Sequence, residues 1–140
     1  PVEVVGHRVF PNREALDRQL VGRFQSHKVD VVVMAEWMRI VTDVLVDAFP
    51  ERLVNIHPSL LPSFRGLDAV GQALQAGVSI SGCTVHIVTA DLDAGPILAQ
   101  AAVPVLPADT HASLSGRVQK QEHVLLPATL QQNAHRWRQG

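Results

Sequence analysis

The sequence predicts an α/β domain built on a mainly parallel sheet with flanking helices. Three observations carry that expectation. Segments of strand period and helix period alternate along the chain. Val29 to Met34 is an apolar run broken only by Asp30, as in strands buried on both faces of a parallel sheet. The length, 140 residues with 46% hydrophobic and 18% charged, suits one core-forming domain and argues against disorder.

Taken in order, Val2-Glu3-Val4-Val5 reads as a short strand. Asn12 then caps a helix over Arg13 to His27, where Ala15, Leu16, Leu20, Val21 and Phe24 fall at helical spacing. The strand Val29 to Met34 follows. Thr42 caps a short helix through Phe49, ended with the help of Pro50. Leu53 to His57 is the next strand and runs into Pro58, which forces an extended or loop backbone. Asp68 caps a helix over Ala69 to Ala76, with Gly77 at its C-terminal turn. Thr84 to Val88 and Ile97 to Leu106 are extended and are candidates to pair with each other. Thr110 caps the last helix, whose expected buried stripe is Leu114, Val118, Leu125 and Ala128. The tail His135 to Arg138 is polar and is expected to fray.

Several function classes carry no support. Twelve Lys+Arg against 13 Asp+Glu leave a net charge of -1, which gives no electrostatic case for nucleic acid or a membrane surface as partner. No apolar run approaches the roughly 18 residues of a membrane span. Cys83 is the lone cysteine, so no intrachain disulfide is available. Together with the absence of a visible signal peptide, this points to a cytoplasmic protein. The histidines are scattered without metal-ligand spacing, so no metal is expected. Cys83 reads as a buried structural thiol, because its odd spacing from His86 points the two to opposite faces of a strand.

In open α/β sheets, ligands bind at the carboxyl ends of the strands. Asn55 and His57 stand at such an end, two apart, with both side chains on one face. An amide beside an imidazole makes a donor pair for a developing oxyanion; the competing reading is a polar pair that satisfies the following loop. Asp93, in Asp91-Leu92-Asp93-Ala94-Gly95-Pro96, is placed to orient His57 and favour its charged form, or else only caps the turn. Asp91 is the adjacent alternative.

Taken together, Asn55-Ile-His57-Pro-Ser-Leu-Leu-Pro62, Gly66, Gln72-Ala-Leu74, Gly82-Cys-Thr-Val-His86, Leu92-Asp93-Ala-Gly-Pro96 and Gln119-Lys-Gln-Glu122-His123 resemble the phosphoribosylglycinamide formyltransferases. The likeness runs from about Pro11 to Pro127. It implies a Rossmann-like formyltransferase fold and transfer of a formyl group from 10-formyltetrahydrofolate to the amine of glycinamide ribonucleotide, in purine biosynthesis. No metal is implied. Carried over residue by residue, Asn55 and protonated His57 would stabilise the tetrahedral oxyanion, and Asp93 would hold His57 and help move the amine proton. The folate site would fall on Met38, Arg39, Ile40 and Val41 and on the loop Thr89, Ala90, Asp91, Leu92. Arg39 and Arg13 would face the folate's glutamate tail, since a guanidinium pairs carboxylates through its planar fork. Gln119 and Glu122, i and i+3 on one helix face, would contact the nucleotide.

The sequence also departs from the family pattern. Glu36 stands where glycine is usual, and Asp68 and Val70 stand where some members carry histidine. The family's glycine-rich phosphate loop at a helix N-terminus has no match. The expected organisation is therefore a single formyltransferase domain over residues 1–140, lacking its first strand-helix unit, and with it a phosphate-binding part on the order of thirty residues. Such a chain, alone, would keep some folate affinity, bind the nucleotide poorly and be nearly inactive. Alternatives are a formyltetrahydrofolate deformylase, which hydrolyses the same donor, and an inactive folate-binding fragment. The oligomeric state is left open.

Overall fold

A computed structural model describes residues 2–6, 10–34 and 41–138. Helix α1 (Arg13–Ser26) begins at Asn12, whose side chain accepts from the Ala15 N–H. After β1 (Val32–Met34) and α2 (Asp43–Ala48), strand β2 (Leu53–His57) leads to α3 (Ala69–Ala76). Strands β3 (Ile80–Ile87) and β4 (Ile97–Pro104) precede the long α4 (His111–Asn133) and a single 3-10 turn, Ala134–Arg136.

The strands form one sheet in the order β1-β2-β3-β4. The α/β class holds, but the parallel share is smaller than expected among the described residues. β1 and β2 pair in parallel, whereas β2–β3 and β3–β4 are antiparallel. Alternation of strand and helix sets the layering, not the strand direction; here the chain leaving α3 enters the sheet beside β2 and runs back along it. The expected pairing of β3 with β4 is present.

Two apolar layers flank the sheet. On one face Val32, Met34 and Leu53 pack with Val41, Leu45 and Phe49 under α1 and α2. On the other, Val54, Ile56, Cys83 and Val85 pack against Leu114 and Val118 of α4. No described helix is long and apolar enough to cross a membrane.

Six local expectations are corrected. Residues 2–6 form no strand; Val2 and Val4 are exposed, and an alternating pattern without a partner ladder makes no strand. β1 starts at Val32, because the chain at Lys28 turns through φ 55° and the Val29 N–H still bonds the Phe24 carbonyl of the helix exit. Val33 is 38% exposed, so β1 is not buried on both faces among the described residues. Thr42 stands at the N-cap of α2 but makes no side-chain cap; its N–H and hydroxyl both donate to Asp17 of α1. In α4, Ala128 is exposed and Thr129 is buried instead, its hydroxyl satisfied by the Leu125 carbonyl. The tail is docked at Trp137, which is 4% exposed and donates its indole N–H to the Glu51 carbonyl.

Candidate active site

The end of β2 opens into a cleft of about 890 Å³, within the range of small-molecule sites. Its walls come from both sides of the sheet. Arg13 at the start of α1 lines it, as do Leu67 in the loop after β2 and Val118, Gln119 and Glu122 on α4. Asn55, His57 and Asp93 meet there. The period of two puts Asn55 and His57 on one face of β2, and the antiparallel register places His86 and Thr84 of β3 opposite them.

His57 is 6% exposed and held at both ring nitrogens. Nε2 donates to the Phe64 carbonyl at 2.8 Å, and Nδ1 lies 3.5 Å from Asp93 Oδ2. The Phe64 carbonyl can only accept, so Nε2 carries a proton, and Nδ1 faces the Asp93 carboxylate. The same Asp93 oxygen accepts the Gly66 N–H at 2.8 Å. The loop after β2 thus binds both members of the pair. Asp93 has φ 50°, a left-handed conformation that Asp tolerates better than most residues.

His86 sits behind Asp93, 2% exposed, with Nε2 at 3.9 Å from Oδ1. Its Nδ1 donates to the Ile87 carbonyl, so in the neutral ring Nε2 carries the lone pair. Burial pushes this imidazole below its ordinary value, partly offset by that carbonyl and by the Asp93 charge. A register shift at Val85/His86 in the β3–β4 ladder lies at this residue, a device that re-aims side chains beside sites. Among the described residues, Asn55 Oδ1 and His86 Nε2 are buried without a hydrogen-bond partner, and both residues line a small void of about 30 Å³ beside Asp93.

The other expected site residues divide. Thr89, Ala90, Asp91 and Leu92 line that void with Val41, and Leu92 also borders the main cleft. Arg13, Gln119 and Glu122 line the main cleft. Met38, Arg39 and Ile40, with Glu36, lie outside the described residues. Cys83 is fully buried in the core against α4, and burial pushes its thiol up to about 11, in keeping with an inert structural role. Sequence reading missed His111 and Asp68. They join across the cleft mouth at 2.7 Å from the starts of α4 and α3. Each opens a helix, but only the packing of α3 on α4 brings those ends together.

A family model described as formyl transferase matches residues 1–130. The chain belongs to the formyl transferase family. The chain spans less than two thirds of the length of these curated relatives: phosphoribosylglycinamide formyltransferase of Bacillus subtilis is 40% identical over 123 residues, 88% of this chain and 63% of the relative. The trifunctional purine biosynthetic protein adenosine-3 of Homo sapiens is 45% identical over 131 residues, 94% of this chain and 13% of the relative. The crystal structure of phosphoribosylglycinamide formyltransferase from Bacillus halodurans superposes with a TM-score of 0.90 at 43% identity, covering 93% of this chain and 67% of that chain.

Proposed function

We propose that the chain transfers the formyl group of 10-formyltetrahydrofolate to the amine of glycinamide ribonucleotide. The observation that carries this reading is the convergence of Asn55, His57 and Asp93 at one end of the cleft. The names of the relatives support it and do not favour the hydrolytic alternative. Arg13 and the loop 89–92 fit the folate side, with Arg39 as the sequence-based partner of Arg13. Gln119 and Glu122 fit the ribose hydroxyls, which a carboxylate accepts.

In this reading the amine lone pair attacks the formyl carbon and the carbonyl electrons move to oxygen. The Asn55 amide N–H groups and His57 stabilise that oxyanion, a contribution typically worth about 10²–10³ in rate per donor. Asp93 balances the His57 charge and accepts or relays the proton that the amine must lose. The C–N10 bond then breaks and N10 takes up a proton. The Phe64 carbonyl holds His57 Nε2, so Nδ1, on the Asp93 side, is the nitrogen left to face the substrate oxygen.

The test is to incubate this chain, beside a version that carries an N-terminal extension, with both substrates and follow formylglycinamide ribonucleotide by mass spectrometry in the extended version. Acceptor-dependent product is the expected result. Formate release indifferent to the nucleotide would make the chain a hydrolase, and no turnover of the donor would overturn the reading.

A further inference from the structure

The loop that binds His57 and Asp93 is itself strained. Phe64, whose carbonyl meets His57, has φ 56°, an outlier for a bulky side chain. Such backbone persists only where surrounding contacts over-determine it. The Gln72 amide holds the carbonyls of Arg65 and Leu67 on either side of Gly66, and the contacts of the first half of the loop converge on Thr84. Thr84 is fully buried and pairs with His57 across the β2–β3 ladder. Its hydroxyl donates to the Ser59 carbonyl at 2.7 Å and accepts the Leu61 N–H and the Gln100 amide, each at 3.1 Å. One donor and two acceptors are the whole capacity of a hydroxyl. The other proton of the Gln100 amide goes to the Leu61 carbonyl at 2.9 Å. Ser59, gripped at its carbonyl by Thr84, sends its own hydroxyl to the Ser63 carbonyl, one residue before Phe64.

We propose that Thr84, braced by Gln100, is a positioning residue: its hydroxyl clamps the loop 58–64 so that the Phe64 carbonyl meets His57 Nε2. Neither side chain lines the cleft. They act through backbone, along a path from β4 through β3 to the loop. The kinetic side of this claim rests on the formyl-transfer reading; the structural side does not.

Three variants test it. Thr84→Val keeps the shape, removes the hydroxyl and strands the Leu61 N–H. Thr84→Ser restores the hydroxyl. Gln100→Ala trims an exposed side chain, so it decides the matter if Thr84→Val does not fold. The first readout is exchange of the His57 Nε2 proton with water, followed by NMR. It is expected to quicken in Thr84→Val and Gln100→Ala and to return to wild type in Thr84→Ser. The second is formyl transfer by the extended version, where kcat should fall by about tenfold to a hundredfold with KM for both substrates little changed. Folded Thr84→Val or Gln100→Ala protein with wild-type proton exchange would overturn the proposal. Extended wild-type protein that shows the expected exchange pattern but transfers no formyl group would overturn the function and leave the clamp standing.

Discussion

Asp93 and Asp91 are two residues apart, yet only one carboxylate faces His57. Asp93 is 9% exposed and bound by the Gly66 N–H, whereas Asp91 is exposed. Asp93→Asn is therefore expected to lower kcat by about 100-fold or more while folate affinity, measured by calorimetry, changes little. Asp91→Asn should do neither, and equal losses at both positions would remove Asp93 from its role. His86 yields a pH prediction. Its folded form takes a proton less readily than the unfolded chain, so the unfolded state binds more protons on acidification. The stability it contributes is full above the unfolded value of about 6.5 and is lost as pH falls below it. The denaturant midpoint should therefore drop more steeply between about pH 7 and about pH 5 in wild type than in His86→Gln. Identical slopes would count against it. At Cys83, burial and a thiol pushed up to about 11 mean that alkylating reagents should label it only on unfolding.

Elements that announce themselves by local chemistry were legible in the sequence. Asn12, Asp68 and Thr110 each cap the helix expected of them, and Leu53 to His57 is a strand over its whole expected length. Asn55, His57 and Asp93 were legible because strand period and turn chemistry put them at one end of the sheet. What was hidden depends on contacts distant in sequence. Asp17 reads as one more polar residue on α1, yet it is 3% exposed and takes two hydrogen bonds from Thr42, at 2.8 and 2.7 Å. α2 has six residues, too short to persist alone, so this tether fixes it. Asp17→Ala should cost about 2–3 kcal/mol in chemical denaturation, since bonds to charged groups exceed neutral ones. Gly95 is equally inconspicuous. A Cβ there would collide with the Ile87 carbonyl, so Gly95→Ala should destabilise by about 1–3 kcal/mol and disturb the turn that carries Asp93.

Across the whole molecule, the end of the chain is tied to the start of β2. Trp137 packs in the core beside α4, its indole N–H bonds Glu51, and Arg52 donates to the carbonyls of Asp30 and Trp137. That tie joins the ends of β1, β2 and the last helix, far in sequence and invisible to periodicity. Trp137→Ala should cost about 3–5 kcal/mol, read from the thermal or denaturant midpoint. A loss below about 1 kcal/mol would show the tail to be dispensable.

The ladder between β2 and β3 also bears on how the chain finds its fold. Asn55 faces His86 and His57 faces Thr84, while Val54 and Ile56 face Ile87 and Val85. A slip of one residue in either strand would turn its polar groups into the dry layer under α4 and its aliphatic ones toward the cleft. The His57 ring and the Thr84 hydroxyl, both bonded in the native register, would then be stripped of water with nothing to bond, a penalty of several kcal/mol for the pairing as a whole. The groups that equip the cleft for chemistry thereby also proofread the sheet, and a variant that made this face aliphatic would fold with two nearly equivalent registers.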